Sequence, residues 1–149
     1  MITEVQIKVG TDIDLVAVAN ELRCKVFVDE QGVPEDEVID GLNDKAVHVV
    51  IFVCSVPIAT ARVIRLDSKN YKIGLVAVAQ SMRGRHLGEK VMRAAMDYIS
   101  LCNGSNIFLT AQKQAVGFYE KLGFEQFGVA KCLESGFALV PMRRVNKKI

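Results

Sequence analysis

The chain has 149 residues, half of them hydrophobic, with a formal net charge of +2. That length carries a core of its own, so a single domain over 1–149 is expected and a disordered chain is excluded. So small a net charge leaves no electrostatic footprint for nucleic acid, and the longest apolar run, near residues 47–56, falls far short of the ~20 residues that cross a membrane.

Residues 4–9 alternate in polarity and predict a strand. Asp12 predicts a helix N-cap. Ile13, Val16, Ala19, Leu22, Val26 and Phe27 then give an apolar stripe at helical spacing to about residue 29, and Gly32 and Pro34 stop it. The acidic stretch 35–44 reads as loop with room for a helical turn. Residues 47–54 and 58–66 read as a hairpin around Ser55-Val56-Pro57. A second turn at 67–70 leads into a strand over 72–78. A helix over 87–102 follows, with Gly104 ending it at the surface. A strand at 106–111, a short helix and two strands near 125–132 and 137–145 complete the pattern. Strands and helices in this order predict a mixed α/β (α+β) sheet with helices on its faces.

The most informative stretch is Val76-Ala77-Val78-Ala79-Gln80-Ser81-Met82-Arg83-Gly84-Arg85-His86-Leu87-Gly88. A strand runs into a basic, glycine-punctuated turn and then a helix. The first N–H groups of a helix have no internal partner, the helix dipole favours an anion there, and glycine lets a phosphate approach closely. Arg83 and Arg85 are expected to face phosphate oxygens. A dinucleotide fingerprint and a P-loop are both absent.

Arg83-x-x-His86-x-Gly88 resembles the pyrophosphate loop of the GNAT-superfamily acetyltransferases, with His86 where that pattern carries a glycine. Gln112-Lys113-Gln114-Ala115-Val116-Gly117-Phe118-Tyr119-Glu120-Lys121-Leu122-Gly123-Phe124 is similar to the segment after the cofactor strand in the same family. Leu22-Arg23-Cys24-Lys25-Val26-Phe27-Val28-Asp29-Glu30-Gln31 resembles the start of its ElaA/YjcF-like branch. That branch often carries a histidine at the position of Leu139.

The resemblance implies a mostly antiparallel sheet with a splayed pair of parallel strands, which hold acetyl-coenzyme A as co-substrate. It implies an N-acetyltransferase acting on the amine of a small molecule or peptide. Val76, Ala77 and Val78 would meet pantetheine through their main chain. Arg83, Gly84, Arg85, His86, Leu87 and Gly88 would hold the pyrophosphate, with Gln112 and Tyr119 also on the cofactor. Tyr119 is the catalytic candidate, a general acid for the leaving thiolate, and Phe118 is expected in the core. Glu30, Asp44 and His48 are substrate-side candidates, His48 with an acidic loop partner such as Asp44. The alternative is a non-catalytic acyl-coenzyme A sensor, to which Leu139 lends weight.

No metal site is expected. The four cysteines are scattered and predict free, mostly buried thiols. The N-terminus lacks the basic and apolar regions of a signal peptide, so a cytoplasmic protein is expected, without nucleic-acid or membrane partners and with a homodimer among the expected assemblies. The basic segment 143–148 reads as a solvated terminus.

Overall fold

The computed structural model describes residues 4–133 and 136–146. Two compact units are distinguished, one formed by the described residues up to Ile64 with Ile73–Tyr98, the other by Arg65–Lys72 with the described residues from Ile99 onward.

In the first unit, β1 (Val5–Gly10), β2 (Ala46–Val53), β3 (Val56–Arg65) and β4 (Asn70–Val78) lie in that order. β1 and β2 are antiparallel, as are β2 and β3. The β2–β3 hairpin turns on Cys54 and Ser55, both left-handed at φ 48° and 68°. Two consecutive positive φ values give the tight turn whose twist matches the flanking strands. Helix α1 (Ile13–Arg23) starts where Asp12 accepts a hydrogen bond from the Asp14 amide at 2.9 Å, as the cap residue predicts. Its buried face seats Leu15 and Ala19 against Val50 of β2, and Leu22, with Val26, against Ala77 of β4.

The expected helix does run on to residue 30, but over Cys24–Glu30 it widens into π-helical turns. Apolar periodicity marks that face without revealing the extra residue per turn. Within the acidic loop the expectation left room for a helical turn, and the short helix α2 (Glu35–Val38) occupies that place. Helix α3 (Leu87–Leu101) buries Leu87, Val91, Met92, Ala95, Met96 and Ile99 at helical spacing.

In the second unit β4 contributes Asn70, Tyr71 and Lys72, which pair in parallel with Asn106, Ile107 and Phe108 of β5 (Asn106–Gln112). β8 (Ala138–Val145) runs antiparallel along β5 and also pairs with β6 (Glu125–Gln126) and β7 (Lys131–Cys132). The sheet is thus mixed and mostly antiparallel, with the expected parallel pair.

Several expectations are corrected. One strand over 125–132 is instead two short ones, because Gly128 at φ +131° breaks the extended run between them. Arg143 and Arg144 belong to β8, with Arg143 stacked 4.0 Å over the Phe127 ring, so they are no solvated tail. Lys147 and Lys148 lie outside the described residues, as do Glu134 and Ser135. The cysteines are free, but Cys54 and Cys132 are exposed and Cys24 and Cys102 half-buried. Among the described residues no helix is long and apolar enough to cross a membrane.

Candidate active site

β4 carries its own irregularity. Leu75 adopts φ +49° within the strand, next to Gly74. A left-handed branched residue is strained, and such strain concentrates at functional backbone. It sits immediately before Val76, Ala77 and Val78. Ala77 is buried, while Val76 and Val78 are half-buried. The strand ends where the Ala79 amide donates to the Ile58 carbonyl at 2.8 Å.

The turn that follows is built as its sequence demands. Gly84 lies at φ +80°, and a Cβ there would meet nothing within 4 Å. Arg85 and His86 are exposed. The first intrahelical bond of α3 is Lys90 N–H to the His86 carbonyl, at 3.1 Å. The amides of Leu87, Gly88 and Glu89 therefore precede the helical ladder and have no partner within it. An open glycine and three amides left out of the ladder, unpaired among the described residues, at the N-terminus of a fifteen-residue helix fit a phosphate-bearing ligand.

His86 takes φ +62°, the left-handed conformation that glycine adopts freely. The family pattern has glycine at this position, and the structure gives its reason. His86→Gly is expected to remove strain of order 1–3 kcal/mol against an entropic cost of roughly 0.5–1 kcal/mol, a net gain near 1 kcal/mol. A thermal melt should show a rise of about 2–4 °C. A fall would show that the imidazole makes a stabilising contact.

Arg83 is placed otherwise than its charge predicts. Its Nη2 lies 2.8 Å from Oε2 of Glu30 and 3.0 Å from Oε1, and its Nε donates to the Val78 carbonyl at 3.2 Å. A carboxylate within reach has taken the guanidinium. Arg83 thus ties the turn to the π-helical segment and to the end of β4. The pair is partly exposed and is worth about 0–1 kcal/mol. Arg85 has no side-chain partner among the described residues. Arg85→Ala should therefore weaken binding of a coenzyme A thioester about tenfold, the lower end for a charge-assisted contact. Arg83→Ala should weaken it less. Calorimetric titration of the two variants checks the order.

In the second unit, Tyr119 sits on α4 (Val116–Lys121). Its ring meets Phe118 and Phe124 edge-on, at 5.0 and 6.1 Å between centroids. Phe118 is exposed, which corrects the expected core role. Burial pushes the Tyr119 hydroxyl up to about 12. That group stays protonated at neutral pH, and it has no hydrogen-bond partner among the described residues. Gln112 ends β5 and stands opposite Leu139 of β8 in the register.

Of the substrate-side candidates, Asp44 is exposed in a 3-10 turn (Asn43–Lys45). His48 is fully buried on β2, opposite Arg62 of β3. Its Nε2 lies 3.3 Å from the Asn43 carbonyl, so its loop partner is Asn43 and not an acidic side chain. Burial, then repulsion from Arg23, holds His48 below its ordinary value and keeps it neutral.

The sequence reading passed over the partners of that histidine. Arg23 and Arg62 are buried beside it, with relative exposures of 0% and 7%. Arg23 Nη2 donates to Thr60 Oγ1 and to the Ala61 carbonyl, both at 3.3 Å. Arg62 forks onto Asp40 at 2.7 and 2.8 Å. The available signal was an arginine inside an apolar stripe, between Ala19, Leu22 and Val26. Among the described residues no cluster of histidine, cysteine or carboxylate has the makings of a metal site.

The family profile described as Acetyltransferase (GNAT) domain matches residues 12–145, nearly the whole chain. The chain is a member of the GNAT acetyltransferase family. It is 31% identical over 123 residues to YjcF of Bacillus subtilis, described as an uncharacterized N-acetyltransferase, covering 83% of this chain and 87% of YjcF. It is 29% identical over 111 residues to the protein ElaA of Escherichia coli, covering 70% and 71% of the two chains. The crystal structure of Escherichia coli ElaA superposes with a TM-score of 0.83 at 25% identity, over 96% of this chain and 100% of that one. The fold is also that of an aminoglycoside 6'-N-acetyltransferase solved with coenzyme A, with a TM-score of 0.72 at 13% identity over 97% of each chain. The GNAT chain described here is thus an acyltransferase, of a family that uses acetyl-coenzyme A.

Proposed function

We propose that this GNAT protein transfers the acetyl group of acetyl-coenzyme A directly to the amine of an acceptor. The observation that carries the reading is the turn over 83–88, with its open left-handed Gly84, exposed Arg85 and unpaired amides leading into α3. The pyrophosphate sits on that turn, and the main chain of Val76, Ala77 and Val78 meets the pantetheine amides as a sheet edge meets a peptide.

The amine lone pair attacks the thioester carbonyl. The C–N bond forms, the C–S bond breaks, and the amine's proton leaves through water. A strand amide at Val76, Ala77 or Val78 takes the developing oxyanion. Tyr119 serves the departing thiolate. A hydroxyl pushed up to about 12 is a weaker acid than an ordinary thiol, at roughly 8.5, so a hydrogen bond from Tyr119 is favoured over complete proton transfer. Glu30, Asp44 and His48 belong to the acceptor side. Glu30 acts there through Arg83, and neither it nor the buried His48 is required as a base when water removes the proton.

A panel of amines incubated with acetyl-coenzyme A, with free thiol followed, tests this reading. Thiol release that depends on one amine class supports it. Tight binding of the thioester with no release above hydrolysis for any amine would favour an acyl-coenzyme A sensor, the reading to which Leu139 lends weight.

A further inference from the structure

We propose that the buried pair of Arg23 and Arg62, beside His48, seats a carboxylate of the acceptor, so that the acceptor is an amine bearing a carboxylate, such as an amino acid. The inference deepens the transferase reading and rests on it for the word acceptor. The anion site itself rests on geometry within one unit of the chain.

Four buried polar atoms of the cluster have no hydrogen-bond partner among the described residues: Arg23 Nε and Nη1, Arg62 Nε, and His48 Nδ1. Buried polar groups are nearly always paired, and a cluster of orphans calls for an explanation. Three of the four are N–H donors on cations. The fourth, once His48 Nε2 donates to the Asn43 carbonyl, is a lone pair, which holds no anion and leaves the three arginine N–H groups as the seat.

The charge count points the same way. Arg23 and Arg62 bring two positive charges, and Asp40 brings one negative charge, forked on Arg62. His48 is held neutral. One positive charge is left over, and it resides on Arg23, which shows no exposed surface. Its other contacts are a hydroxyl and a carbonyl, both neutral. Burial and repulsion from Arg62 together pull Arg23 down to about 9, so it remains a cation at neutral pH with its charge poorly compensated. Internal water satisfies an N–H but brings no charge. A monovalent carboxylate does both, while a phosphate would bring more than the single missing charge.

Access is set by the segment between α2 and β2. Asp40 keeps 23% of its side chain exposed, Asn43 is half-buried, and Gly41 between them lies at φ +78° with open space around it. Asp40 and Asn43, the partners of Arg62 and His48, thus both lie on the short stretch between α2 and β2. An arginine kept uncompensated in a core costs stability, and proteins accept that cost where a ligand repays it.

The experiment has two arms. In the first, wild type and Arg23→Met are melted in sodium acetate and in sodium chloride at equal ionic strength. Wild type should melt several degrees higher in acetate, and Arg23→Met should show no difference between the salts. Arg23→Met, freed of the buried charge, is also expected to melt above wild type in chloride. Equal melting of wild type in the two salts would assign the orphan N–H groups to internal water and overturn the proposal.

In the second arm, acetyl transfer to amino acids is compared with transfer to their carboxamides. Wild type should prefer the carboxylate forms by at least tenfold in kcat/KM, and Arg23→Met should lose that preference with acetyl-coenzyme A affinity unchanged. Equal use of the carboxamides by wild type, or a preference surviving in Arg23→Met, would overturn it. Failure of acetyl-coenzyme A to bind would instead strike the transferase reading, and the acetate arm would still decide the anion site.

Discussion

Gly104→Val is expected to lower the melting temperature by about 6–12 °C. Gly104 is buried behind the end of α3, and its amide closes the helix by donating to the Ile99 carbonyl at 2.9 Å. Its own carbonyl accepts from Asn146 Nδ2 at 3.0 Å. A Cβ there would lie 2.8 Å from Cδ1 of Tyr71 and closer still to Cγ2 of Ile99. The ring is buried and the isoleucine fully so, and neither is the free end of a flexible chain. Overpacking of this kind costs about 3 kcal/mol, and each kcal/mol moves a domain of this size by roughly 2–4 °C. Circular dichroism on heating reads the effect. A melting point within two or three degrees of wild type (roughly the effect of 1 kcal/mol) would show that the turn relaxes freely.

Tyr119→Phe is expected to lower turnover about 10²-fold while leaving acetyl-coenzyme A affinity nearly intact. Only a hydroxyl is lost, and the ring contacts with Phe118 and Phe124 remain. A positioned proton donor contributes on the order of 10²–10⁴ in rate, and a hydrogen bond without full transfer belongs at the low end. The hydroxyl has no partner to lose among the described residues, so the variant should fold as wild type does.

The pH profile carries the sign. Burial raises the folded hydroxyl to about 12, above its ordinary value near 10. The donor form is therefore complete through the neutral and mildly alkaline range, and Tyr119 puts no alkaline break in the rate below roughly pH 10. The stability tied to its neutral form is present below pH 10 and is lost as pH rises from there towards 12. Pre-steady-state turnover equal to wild type at every pH would remove Tyr119 from the mechanism.

The local features were legible because local chemistry decides them. Asp12 caps α1, the stripe of α3 is buried as spaced, and the strand–turn–helix over 76–88 forms where glycine and arginine announce it. What could not be read depends on residues far apart in the chain. Gly104 looks like a surface helix end until Tyr71 is placed against it. Arg83 looks free until Glu30 arrives from the π-helical segment. The Arg23, Arg62 and Asp40 network joins a helix, a strand and a loop whose sequences give no common motif. Leu75 shows no sign in the sequence of its left-handed backbone, because no residue type demands it. The substrate-side candidates came from a resemblance, and the structure sorts them into an ion-paired Glu30, an exposed Asp44 and a buried His48.

The account stands on the turn over 83–88 as the seat of a coenzyme A pyrophosphate, and calorimetric titration of acetyl-coenzyme A into wild type and Gly88→Val tests it most directly. Gly88 lies in the first turn of α3, where its amide precedes the helical ladder, and a branched side chain there is expected to obstruct the proposed phosphate. The account predicts saturable binding of one acetyl-coenzyme A per chain, weakened by salt, and a loss of at least tenfold in a Gly88→Val protein that melts cooperatively. No binding to wild type, or equal affinity in the folded variant, would contradict it.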